Sequence, residues 1–102
     1  MEFRVKLSDK AKNDFQNILN FYEPIREGLG FEVQDEVLTY LDSLKNDAYI
    51  YQKRIEDIRS CFTKRFHFGI FYFIDETEKI IRVIGIINTK EDIQKIKNRY
   101  KK

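Results

Sequence analysis

Phe3, Val5 and Leu7 alternate with Glu2, Arg4 and Lys6, the two-residue period of a strand that buries one face. Ser8 then stands where a helix N-cap belongs, and Ala11, Phe15, Ile18 and Tyr22 recur at i, i+4, i+7 and i+11 with Leu19 beside them. Pro24 ends that helix, because it lacks an amide and disfavours helix in the residue before it. After the connector "PIREGLG", a second helical stripe runs through Val33, Val37, Tyr40, Leu41 and Leu44, with acidic residues between. The pattern predicts a helical hairpin.

From Asp57 the period changes to two. Ile58, Ser60 and Phe62 fall on one side, and Arg59, Cys61 and Thr63 on the other. "GIFYFID" and "IIRVIGII" are apolar on both sides, as central strands are, and the charged turn "DETEK" joins them. Such short connections predict an antiparallel meander. Thr89 followed by Asp92 has the spacing of a capping box, and Ile93, Ile96 and Tyr100 share one side of a short basic helix beyond it. The expected fold is α+β, in the order β-α-α-β-β-β. Its small four-stranded sheet is rich in antiparallel pairs, with the hairpin packed on one face and a short C-terminal helix closing the chain.

The remaining sequence bounds what such a fold can do. At 102 residues, without repeats or Gly/Ser linkers, residues 1–102 are expected to form a single domain. No stretch approaches ~20 apolar residues and no signal-like run opens the chain, so no membrane association and a cytoplasmic location are expected. The single Cys61 cannot form an internal disulfide, and one His with one Cys lacks the further ligands zinc requires. Neither a metal site nor a cofactor is expected. Net charge is only +2, but Met1 to Gln52 carries 6 Lys/Arg against 10 Asp/Glu, and the rest carries 13 against 7. Such a split suits an anionic partner, by steering, as well as it suits an unevenly charged solvated surface.

A hairpin on one sheet face leaves the other partly open. The polar side of the strand after Asp57, with Arg59, Cys61, Thr63 and Arg65, is the candidate for that open face, unless a bulge near Lys64 reverses Arg65. Arg59 is the strongest binding candidate, against the alternative of an ion pair with Glu56. Phe66, Phe68, Phe71, Tyr72 and Phe73 could form a base-stacking platform, but no RNP-like pattern accompanies them, and aromatics on a central strand are usually core.

The stretch "DIRSCFTKRFHFGIFYFIDE" resembles the core signature of the RelE/ParE toxin superfamily of bacterial toxin–antitoxin modules. In that family an Ile/Val-Arg pair, a Lys-Arg-Phe turn and a Phe-Tyr pair follow one another in this way. "VKLSDKAKNDFQNILNFY" resembles the family's opening, with a short strand, a Ser-x-x-Ala helix start and a closing aromatic pair.

What the resemblance implies is a small growth-inhibiting toxin, often tied to plasmid stabilization, neutralised by a cognate antitoxin protein in a hetero-oligomer, with a homodimer as the other possible assembly. Its target is DNA gyrase in the non-catalytic ParE-like branch, or the ribosome and its mRNA in the metal-independent RelE-like branch. Cleavage needs a base and cations for the developing phosphate charge. Arg59, Arg65 and His67 are the expected catalytic set if the chain is RelE-like. Arg59, Lys64, Arg65, Arg82 and Lys90 are the expected target- or nucleic-acid-binding set. His67 replaces the family's usual turn proline, and Asn88 to Asp92 replace a His-x-x-Arg-Asp-Pro ending. These departures weaken the reading as a toxin of either branch and leave room for a non-toxic, antitoxin-binding relative.

Overall fold

The computed structural model describes residues 3–91 and 93–100. The first strand, β1 (Arg4–Leu7), hands over to α1 (Asp9–Tyr22) at Ser8. The Ser8 hydroxyl accepts the Ala11 N–H at 3.1 Å, and Asp9 complements the positive end of the helix. Pro24 stops α1 as expected, and the connection to α2 (Leu29–Asp47) is closed by one side chain. The Glu23 carboxylate accepts the N–H groups of Gly28 at 2.7 Å and Gly30 at 3.0 Å, donors that a helix start otherwise leaves unpaired. Gly28 sits at φ 86°, a left-handed conformation that glycine adopts without strain.

Five strands form the sheet, one more than the hydrophobic pattern indicated. They are β1, β2 (Lys53–Ile55), β3 (Ile58–Phe62), β4 (Phe68–Asp75) and β5 (Ile80–Asn88), in the order β1-β5-β4-β3-β2. Among the described residues, only β1 and β5 pair in parallel. The extra strand, β2, is three residues long and joins β3 through Glu56 and Asp57, too short a run to show a period.

The apolar content of β5 is explained by burial on both faces. A bulge between the pairs Phe71↔Gly85 and Tyr72↔Val83 inserts Ile84, so that Val83 and Ile86 meet the hairpin while Ile84 and Ile87 face the other way. Val33, Val37, Leu41 and Leu44 of α2 pack with Cys61, Ile70, Tyr72 and Ile81 of the sheet. A second, smaller cluster of Ile58, Phe71, Ile84 and Ile87 is covered by Ile96 of α3 (Gln94–Arg99). Gly85 lies beneath α3, where a Cβ would meet the end of the buried Ile96 side chain and force it to shift.

β1 ends opposite Val83, leaving the last residues of β5 paired with β4 but without a strand neighbour on the other side. An ion pair takes that edge. The Asp14 carboxylate accepts the Ile86 N–H at 3.0 Å and two guanidinium bonds from Arg99 at 2.6 and 3.1 Å, while Arg99 also donates to the Ile84 carbonyl at 3.0 Å. Their side chains are only 9% and 10% exposed, so α1, β5 and α3 are locked at one buried point. Of the capping box, Asp92 lies outside the described residues, and α3 begins later than Thr89 would place it. Asn88 and Glu91 form a turn there instead, with the Lys90 N–H on the Asn88 side chain and the Glu91 N–H on the Asn88 carbonyl.

Candidate functional site

The polar side of β3 belongs to the hairpin face, contrary to its expected place on the open one. Cys61 is fully buried and Thr63 nearly so, and burial pushes the Cys61 thiol up from its ordinary value. Tyr72 points the same way. Its hydroxyl donates to the Ala48 carbonyl at 2.8 Å and so does not reach the open face, and burial raises its pKa. Periodicity gave the two sides of β3 correctly, but Ile58 and Phe62 are on the outer side, where Ile58 packs with Ile96 of α3 and Phe62, still 38% exposed, meets the Phe71 ring edge-on.

Arg59 turns to the loop after α2. Its Nη1 donates to the Tyr51 carbonyl at 2.6 Å and the Tyr49 carbonyl at 3.4 Å, and its guanidinium lies 5.3 Å from the Tyr49 ring centre. Tyr49 in turn donates to Glu76 at 2.8 Å, which leaves Ile50 displayed at the loop tip with 67% exposure. Arg59 therefore organises backbone.

Lys64, Arg65, Phe66 and His67 form the turn between β3 and β4. The Glu36 carboxylate accepts the N–H groups of Arg65 at 2.8 Å and Phe66 at 3.1 Å, and the Arg65 side chain bonds Glu32 at 2.9 Å. Hydrogen bonds from Arg26 first and Arg65 second hold the Glu32 carboxyl below its usual range. His67 adopts φ 58° and its carbonyl accepts the Thr89 N–H at 3.0 Å. Lys64 is exposed at this tip.

The expected residues are thus spread over the molecule. Arg59 pairs with Tyr72, three residues of strand and roughly 10 Å back from the Phe62 end of β3, whereas Arg65 and His67 sit beyond that end. Arg82 lies on the open face, held by Asp75 at 3.0 Å, and the Glu78 N–H and Arg82 together keep the Asp75 carboxyl low. Lys90 lies on the rim of a groove of about 630 Å³ between α1 and the free part of β5, with Ile18, Phe21, Tyr22, Phe68 and Ile86 as its apolar lining. The sequence reading missed Phe21, which is 67% exposed at the mouth of this groove, and the open-face cations Arg4, Lys6 and Arg54. The alternation that revealed β1 also implied Arg4 and Lys6. Among the described residues no group of three or more His, Cys, Asp or Glu could hold a metal ion, and no helix is long and apolar enough to cross a membrane.

A five-stranded sheet with a helical hairpin on one face and a short terminal helix on the other is the architecture of small bacterial toxins from toxin–antitoxin modules. The ParE toxin family of type II toxin–antitoxin systems (parDE) matches residues 5–93, and the chain belongs to that family, within the RelE/ParE superfamily. No curated protein sequence matches it. Among solved structures, a chain of the chromosomal ParDE system from P. aeruginosa is similar with a TM-score of 0.77 at 15% identity, covering 87% of this chain and 98% of that one. The free E. coli toxin RelE, as a double mutant, gives 0.69 at 12% identity with 88% and 86% covered. A chain of the RelBE2 toxin–antitoxin complex from Mycobacterium tuberculosis gives 0.65 at 13% identity with 86% and 99% covered.

Proposed function

We propose that this toxin arrests growth by binding DNA gyrase in the cytoplasm, does no chemistry of its own, and is silenced by a cognate antitoxin in a toxin–antitoxin hetero-oligomer. The observation that carries the non-catalytic reading is the dispersal of Arg59, Arg65 and His67. RNA cleavage needs a base and cations converging within hydrogen-bond reach of one phosphate. Here Arg59 is spent on the carbonyls of Tyr49 and Tyr51, and Arg65 on Glu32. The ParE family match supports the same branch.

The antitoxin seat that fits best is the groove beside β5. Its apolar lining suits the large side chains of a partner segment, and Lys90 suits an acidic flank. That toxins of this fold have been solved with RelB and ParD partners supports such masking. Phe21→Glu at the groove mouth should weaken co-purification of the antitoxin. Induced expression followed by mapping of transcript ends tests the branch: intact messages during growth arrest are expected. Codon-phased cuts would establish the ribosome-dependent endonuclease instead, and absence of arrest would establish a non-toxic binding module.

A further inference from the structure

We propose that two copies of this chain pair through the loop after α2, the Ile50 side chain of each entering a cleft beside the other's Ile50. The cleft holds about 440 Å³; Phe3, Ala48, Tyr49 and Ile50 supply its apolar wall, and Asp47 and Lys79 a charge of each sign. Ile50 is 67% exposed and Tyr49 50%, yet the loop that carries them is pinned along its length. The Phe3 N–H donates to the Lys45 carbonyl at 3.0 Å, the Ile50 N–H to the Asp47 carbonyl at 3.2 Å, and the Tyr72 hydroxyl to the Ala48 carbonyl at 2.8 Å. Arg59 holds the carbonyls of Tyr49 and Tyr51, and the Tyr49 ring meets Phe3 edge-on at 6.0 Å. A side chain displayed on a fixed loop binds without the entropy cost of ordering it.

A protruding side chain and a hole to receive it share one patch, which is the condition for a closed two-fold pair. The charges favour the same occupant. Under a two-fold axis beside Ile50, Asp47 of each copy can face Lys79 of the other, whereas a partner surface of uniform sign would repel one of the two. The cleft sits at the Lys79 end of β5 and the groove at Phe21 near its Asn88 end, roughly 25–30 Å away along nine residues of strand. Pairing therefore leaves that groove open, and it is independent of the target of growth arrest.

The test is sedimentation velocity of the purified toxin without antitoxin, from about 5 to 300 μM. A patch this small supports a weak dimer, with a Kd expected on the order of 10–100 μM. Ile50→Asp should weaken association at least about tenfold, as loss of a central apolar anchor does. Asp47→Lys should weaken it, and so should Lys79→Asp, a residue type that tolerates the φ of 57° found there. Both changes in one chain should restore association, and an equimolar mixture of the two single variants should pair more tightly than either alone. Lys10→Glu with Lys12→Glu, on the exposed side of α1, should leave it unchanged, and circular dichroism should show every variant folded. A monomer throughout the concentration range, association that survives Ile50→Asp, or a double swap no stronger than the single ones would overturn the proposal. A monomer whose Ile50→Asp variant no longer arrests growth would overturn it too, and would assign the loop to the target instead.

Discussion

Replacing Asp14 with Ala should destabilise the fold more than any surface change, because it opens the lock at the free edge of β5. The substitution removes three accepted hydrogen bonds and leaves the Arg99 guanidinium, 10% exposed, without its counter-charge. Breaking a buried pair in this way costs about 3–5 kcal/mol, and the stranded Ile86 N–H contributes within that range. Out of a stability on the order of 5–15 kcal/mol the loss is large. With a urea m-value of about 1.3 kcal/mol/M, the unfolding midpoint should fall by roughly 2–4 M. Arg99→Met alone should also be costly, since it leaves a buried carboxylate, whereas the double variant removes both charges. Equilibrium urea unfolding of the four proteins should therefore show a coupling of at least about 1.5 kcal/mol. A loss below about 1 kcal/mol for Asp14→Ala, or strict additivity of the two changes, would refute the lock.

Gly85→Ala should cost about 1–3 kcal/mol, because its Cβ collides with Ile96. Thermal melts should show partial recovery when Ile96→Val removes the colliding methyl. Tyr72→Phe should cost about 1–2 kcal/mol in urea unfolding, since the buried Ala48 carbonyl loses its 2.8 Å donor. Tyr51 is pushed up from 10.0 to about 12, by its hydrogen bond with Cys61 and then by burial. A raised folded pKa gives stability that is fully present below the unfolded value and lost as pH rises through the folded one. The urea midpoint should therefore decline between about pH 10 and 12, and Tyr51→Phe should make that decline shallower.

The strands and helices that pack through a repeating apolar period were readable in advance. Ser8 and Pro24 bounded α1, and β3, β4 and β5 appeared as the meander the short turns required. β2 stayed hidden because three residues carry no period, and its pairing depends on a tight turn at Glu56. The face of β3 was misjudged for a different reason. Polarity suggested an open side, but Thr63 satisfies the Phe68 N–H at 2.8 Å and Arg59 satisfies backbone carbonyls, so both polar groups sit against the hairpin side of the sheet. Which cations are committed to internal partners is a matter of long-range contact. Nothing in the order of residues announces that Glu36 caps a turn about thirty positions away, or that Arg99 reaches Asp14 across β5. The groove at Phe21 was hidden similarly, since its walls come from four separate stretches of chain.

The proposed disabling of DNA gyrase by binding alone predicts the outcome of one reconstituted assay. The most direct measurement is supercoiling of relaxed plasmid by purified gyrase with the purified toxin added, in parallel with ribosome-programmed mRNA incubated with the same preparation. Loss of supercoiling, its restoration by a stoichiometric antitoxin, and uncut mRNA are the predicted result. Undiminished supercoiling with mRNA cut in the ribosomal A site would contradict it.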